Sequence, residues 1–268
     1  MSAWRLLGAA ALTVILSALV SGVWAALLTE NLRTTPALPW SCVAMAGVLW
    51  LAWEYAGGRG WPERTSATRR ALLRARRVDR STLGLALAAG GLSLGALAGL
   101  WIAAFQTGWM SGNPLPDFSL YPWQTVAAVI AMAAVVGAVS EEAGFRGYFQ
   151  SLLERRWSPR VSVLGAALLL APGHASTQGF ALPTFGFYLL VDVMLGTTAY
   201  LCDSILPGIA LHAAGLVVFF ALIWPFDAGR AVGAPALRDP WLWIHAAQAI
   251  GFAVLALLSF RRLARRRG

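Results

Sequence analysis

The stretch PWQTVAAVIAMAAVVGAVSEEAGFRGYFQSLLE, Pro122 to Glu154, decides how this chain is read. Its first half runs for about eighteen residues without a charge, enough for a helix to cross a hydrocarbon core of about 30 Å. Its second half continues the same helix but sets Glu141, Glu142 and Arg146 into it. Comparable apolar runs recur on both sides, and helices are predicted over 6–28, 38–56, 82–105, 122–154, 160–178, 184–202, 205–225 and 240–262. The expected fold class is therefore all-α: a polytopic membrane protein of about eight transmembrane helices, forming a single transmembrane domain over residues 1–268.

Composition agrees. The 268 residues are 58% hydrophobic and only 12% charged, about half the charge of an ordinary soluble domain, and the mean hydropathy is +0.65. The net charge of +9 comes entirely from arginine, for there is no lysine. These arginines sit in loops beside apolar runs, the pattern of cytoplasmic loops rather than of a nucleic-acid face, and no nucleic-acid partner is expected. Arg59, Arg64, Arg69, Arg70, Arg74, Arg76, Arg77 and Arg80 crowd the segment after the second helix. Arg155, Arg156 and Arg160 follow the fourth helix, and the tail ends in arginines. Residues 107–122 hold none. This bias predicts cytoplasmic N- and C-termini in a plasma or inner membrane. Thr68 to Val78 reads either as a basic amphipathic surface helix or as an ordinary positive-inside loop, and the loop is the simpler reading. Cys42 and Cys202 lie in or beside apolar runs and match no metal or redox spacing, so they read as embedded thiols.

Ionisable side chains inside spans are costly, so each is a functional candidate. Glu142 and Arg146, four residues apart, share one helix face as an ion pair that buttresses the helix. Glu141 points about 100° away and is the candidate general base. His174 and His212, on other spans, are its candidate partners. By residue count Glu141 and His174 match in depth and His212 is shallower; an inner end of helix four that projects past its neighbours would instead bring Glu141 level with His212. His245, beside Trp241 and Trp243, reads as interfacial.

Glu141-Glu142-x-x-x-Arg146 followed by Gly147-Tyr148-Phe149-Gln150 resembles the first motif of the CPBP family (CAAX-prenyl protease and bacteriocin-processing, or ABI), a family of glutamic-type intramembrane proteases. The resemblance extends over roughly Trp123 to Leu216, with His174 and His212 at the places of the family's second and third motifs. It implies that Glu141 activates the attacking water, with Glu142 and Arg146 in support. It further implies that His174 binds or polarises that water and that His212 stabilises the oxyanion. The cofactor is left open between none and a divalent metal such as zinc, whose ligands would be Glu141, His174 and His212. The implied partners are the lipid bilayer and a membrane-anchored protein or peptide, such as a prenylated CAAX tail, a leader peptide or a sorting tail.

Two positions depart from the family pattern. Leu170 replaces a phenylalanine four residues before His174, and Leu216 replaces an asparagine or related polar residue four after His212. Leucine donates no hydrogen bond, so Asp192 and Thr197 or Thr198 are candidate substitutes, and Asp192 reads equally as a structural polar contact. Leu216 also favours a rival reading, a non-catalytic scaffold that regulates a partner enzyme. A second rival, a proton-coupled transporter, lacks the matching half-sequences of an inverted repeat.

Overall fold

The computed structural model describes residues 3–111, 117–174 and 181–267, and among them there is helix and turn but no strand. Nine helices are named here: α1 (Ala3–Thr34), α2 (Trp40–Ala56), α3 (Ser66–Leu73), α4 (Arg80–Gln106), α5 (Trp123–Glu154), α6 (Pro159–Leu170), α7 (Leu182–Cys202), α8 (Leu206–Asp227) and α9 (Pro240–Arg267). Six of them, α1, α4, α5, α7, α8 and α9, are long and apolar enough to cross a membrane. With 17 residues α2 is short of the roughly 20 that a full span needs, and α6 with 12 is far short.

Each predicted helix is present, but that expected over 160–178 is interrupted. α6 ends at Leu170 and the chain tightens into a 3₁₀ turn over Ala171–His174. Pro172 is the cause: Ala171 keeps helical angles, φ −50° and ψ −37°, but proline supplies no N–H to the ladder and its ring crowds the preceding turn. Residues 175–178 of that prediction lie outside the described residues. α3 is the second difference. It forms inside the arginine-rich segment, yet Arg69 is buried, donating to the carbonyls of Tyr55 (2.7 Å) and Gly60 (2.8 Å) and stacking over the Tyr55 ring. The segment is neither a surface helix nor a solvated loop; part of it is packed interior.

The bundle closes through small residues and a few buried amides. Asn31, fully buried, donates to the carbonyls of Thr35 (2.9 Å) and Leu38 (2.8 Å) and accepts from the Ser41 amide (2.9 Å), fixing the α1–α2 turn. α9 lies along α4, where a β-carbon at Gly99 would stand 2.7 Å from the His245 carbonyl oxygen. Close backbone approach over glycine is how helices associate where lipid is as apolar as leucine. The broad apolar faces of α1 and α9 are exposed, as lipid-facing surfaces are.

The arginine-rich segments meet at one end of the bundle. Arg76 pairs with Asp203 in the α7–α8 link, and Arg267 stacks over Tyr200, 3.5 Å from the ring centre. Asp79 caps α4 by accepting from the Ser81 and Thr82 amides and the Ser81 hydroxyl, which holds its carboxyl well below the usual range.

Candidate active site

Both glutamates stand where α5 changes its winding. After Glu141 the α-helix widens into a π-helical segment, Glu142–Phe149. Such segments are rare and frequently occur at functional sites. Two glycines let neighbours close on it. A β-carbon at Gly144 would stand 3.2 Å from the Thr13 methyl of α1, and one at Gly147 would stand 3.0 Å from the Leu73 carbonyl oxygen.

Arg146 is the centre of the buried charge. One guanidinium nitrogen lies 3.2 Å from Glu142 Oε1, and the other donates to Asp192 Oδ1 at 2.5 Å. All three side chains are essentially inaccessible, with exposures of 0% for Glu142 and 1% for Arg146 and Asp192. A cation between two carboxylates is what burial demands, because an unpaired charge in this medium costs several kcal/mol. The predicted ion pair of Glu142 and Arg146 is present. Asp192, weighed above as a substitute hydrogen-bond donor, is instead the second acceptor for Arg146. Thr198 is no substitute either, since its hydroxyl donates to the Met194 carbonyl within its own helix at 3.0 Å.

His212 of α8 links the two glutamates. Its Nδ1 is 3.1 Å from Glu142 Oε1, and its Nε2 is 3.8 Å from Glu141 Oε2. A carboxylate only accepts, so Nδ1 carries the hydrogen of the Glu142 contact and leaves Nε2 turned toward Glu141. Gly208, one turn earlier on α8, makes room for this: a β-carbon there would meet Glu142 Oε2 at 2.7 Å. The two glutamates differ in access. The Glu142 side chain is sealed, whereas that of Glu141 keeps 19% exposure.

His174 approaches from the other side, stacked flat on Tyr188 with ring centres 4.0 Å apart and its Nε2 3.9 Å from Asp192 Oδ2. Trp101 of α4 backs this wall, edge-on to Phe187, Tyr188 and Phe219. Thus Glu141, Glu142, Arg146 and His212 come together directly, and His174 joins them through Asp192. His245 lies elsewhere, with Nδ1 3.3 Å from Gln106 Oε1.

His212, which residue counting placed shallower, stands beside Glu141, as the projecting-helix alternative allowed. The Arg146 carbonyl accepts from the Arg74 side chain, and the Arg74 carbonyl accepts from the amide of Ile205 at the start of α8. α8 therefore begins level with Arg146, and the last turns of α5 run past it. One turn farther along both helices, Leu216 packs on α5, where a β-carbon at Gly137 would lie 3.0 Å from its Cδ1.

Among the described residues the donors do not make a zinc centre. Such a site needs at least three ligands aimed at one point. Among the described residues no three His, Cys, Asp or Glu side chains converge in that way. An apolar crevice of about 260 Å³ between α1, the C-terminal end of α5 and α6 is lined by residues such as Leu6, Phe149 and Trp157 and holds none of the site's polar groups.

Sequence reading missed two contributors, Tyr188 and Arg74, and of the two readings open for Asp192 the structural polar contact is the one present. Tyr188 had a signal, for Tyr188 and Asp192 are spaced i, i+4 within one apolar span. In comparison with known proteins, residues 122–218 match the family model described as type II CAAX prenyl endopeptidase Rce1-like. No curated protein and no solved structure matches the chain.

Proposed function

Because residues 122–218 of this multi-pass membrane protein form an Rce1-like segment of the CPBP family, we propose that it is an intramembrane endopeptidase that cuts a membrane-anchored peptide with a glutamate-activated water. We further propose one membrane domain, with both termini and the arginine-rich end on the cytoplasmic side of a plasma or inner membrane. The carrying observation is the unequal surroundings of two adjacent carboxylates: Glu142 is sealed and paired with Arg146, while Glu141 is 19% exposed and its buried Oε2 stands 3.8 Å from His212 Nε2 with no hydrogen-bond partner.

In this reading a water beside Glu141 gives one proton to the carboxylate as its oxygen adds to the scissile carbonyl carbon. His174 orients that water. His212, protonated at Nε2, donates to the oxyanion. As the intermediate collapses the C–N bond breaks and Glu141 returns the proton to the leaving amine. Arg146 and Asp192 touch no reacting atom; they hold Glu142, which in turn holds His212.

The test is cleavage by purified protein in liposomes of peptides anchored by a farnesyl group, an acyl chain or a single transmembrane helix. Products are read by mass spectrometry beside unanchored versions of the same peptides. One defined cut in an anchored peptide, persisting in chelator, is the expected result. Loss in chelator that zinc restores would put a metal in the reaction. Folded protein that cuts none of them would sink the reading.

Leu216 supports the second reading, a non-catalytic scaffold. In the protease, Leu216→Asn puts a donor one turn beyond His212 and should raise kcat, by up to about 100-fold, the low end of what one oxyanion donor is worth. A scaffold would remain inactive with asparagine there.

A further inference from the structure

Residues 72–76 lie outside the family-matched interval, yet they bind both helices that carry the glutamates and His212. Arg74 is the centre of this contact. Its Nη1 donates to Glu154 Oε2 at 2.6 Å and its Nη2 to the Arg146 carbonyl at 2.7 Å, with the side chain almost wholly buried. Its own carbonyl accepts from the Ile205 amide at 3.2 Å. On either side, Ser151 donates to the Leu72 carbonyl (3.1 Å) and Ser204 to the Arg76 carbonyl (2.6 Å).

Two features separate Arg74 from the loop arginines whose work is to stay in water. Its backbone is left-handed, with φ 53° and ψ 31°, a conformation that non-glycine residues adopt rarely and that clusters at functional sites. Its charge is matched by a carboxylate of its own, so it adds a neutral pair beneath the Arg146 cluster rather than an extra cation. A positive-inside signal requires neither burial nor an unusual backbone.

We infer that Arg74 is a positioning residue for the proposed proteolysis: a guanidinium strap that pins the π segment of α5 to the first turn of α8 and so keeps Glu141 facing His212. The residue it bonds through the backbone, Arg146, is the one whose side chain organises Glu142 and Asp192. A shift of the π segment relative to α8 would move the general base away from its histidine without removing any reacting group. The inference rests on the protease reading for its effect on rate, and on geometry alone for its effect on the helices.

Arg74→Gly is the decisive variant. Glycine takes the left-handed backbone without strain, so the guanidinium and its stem are lost while the backbone bond to Ile205 can stay. Glu154→Gln removes one acceptor's charge and keeps its shape. Kinetics use the anchored peptide that wild type cuts best, and amide hydrogen exchange is measured on the same preparations. Arg74→Gly should lower kcat by about 10- to 100-fold, as expected for misplacement of catalytic groups by around 1 Å, with KM essentially unchanged. Glu154→Gln should show the same loss in milder form. Amides of Glu142–Gln150 and of the first turn of α8 should exchange at least about tenfold faster, and those of α4 and α9 at the wild-type rate.

A loss seen only in KM, or exchange that quickens evenly over all helices, would reduce Arg74 to a general structural residue and overturn the inference. So would a folded Arg74→Gly protein with unchanged kcat and unchanged exchange. If wild type cuts nothing, the protease reading fails by itself, and local exchange at Glu142–Gln150 decides the strap alone.

Discussion

Glu141→Gln protein should purify and melt like wild type and cleave its anchored substrate at least about 10³-fold more slowly. Loss of a positioned general base typically removes between 10² and 10⁴ in rate, and here the same group must also return the proton to the amine. Folding should be spared because Glu141 is 19% exposed and its Oε2, 3.8 Å from His212 Nε2 and so beyond hydrogen-bond distance, has no hydrogen bond to lose. Glutamine matches its shape. The neighbouring substitution makes the contrast. Glu142→Gln removes the charge facing Arg146 and the strong acceptor for His212 Nδ1, so it should lose stability and activity together. Cleavage rate and thermal midpoint, measured on both proteins, decide the assignment. Undiminished cleavage by Glu141→Gln would remove Glu141 from the chemistry and sink the mechanism built on it.

The second large effect is on folding. Arg146→Met should cost about 3–5 kcal/mol, the usual result of removing one partner from a buried ionic group, out of a total of roughly 5–15 kcal/mol. Glu142 and Asp192 would be left facing each other in a dry interior with no cation between them. Little folded protein should survive detergent extraction. Removing the stranded charges as well, in Arg146→Met with Glu142→Gln and Asp192→Asn, should restore much of the thermal midpoint, because fully neutralised sites of similar volume are often no less stable than ionic ones. Activity should not return with it, since His212 then lacks its carboxylate. A triple variant that melts no higher than Arg146→Met would show that packing of the arginine stem, rather than charge balance, holds this part of the bundle.

Much of this architecture was legible in the residues. Length and apolarity placed the helices, since a span of about 20 apolar residues admits few other structures. The Glu142–Arg146 pair followed from helical spacing. What stayed hidden depends on three-dimensional placement. Asp192 could be flagged as a costly charge in a span, but its partner lies on another helix, 46 positions earlier in the chain. The depth of His212 could not be counted from predicted helix ends, because α8 starts level with Arg146 rather than with the end of α5. Pro172 was visible, yet how soon it would end α6 was not read from it. Arg74 was hidden most thoroughly. Nothing local distinguishes it from Arg70 or Arg77, and what makes it different is a carbonyl and a carboxylate on α5.

The π segment of α5 has a consequence for helix phase. Switching from i+4 to i+5 bonding and back takes up one extra residue, which turns everything beyond it by about 100° relative to an unbroken α-helix. The part of α5 before the π segment and the turn after it, Gln150–Glu154, therefore obey two different helical wheels, offset by roughly a quarter turn. That offset is what lets one continuous rod turn Glu141 toward α8 while its last turn aims Gln150 at the Gly196 carbonyl of α7. A relative lacking one residue between Glu142 and Phe149 would keep every side chain of the motif's first half and present a different face to its neighbours from there on.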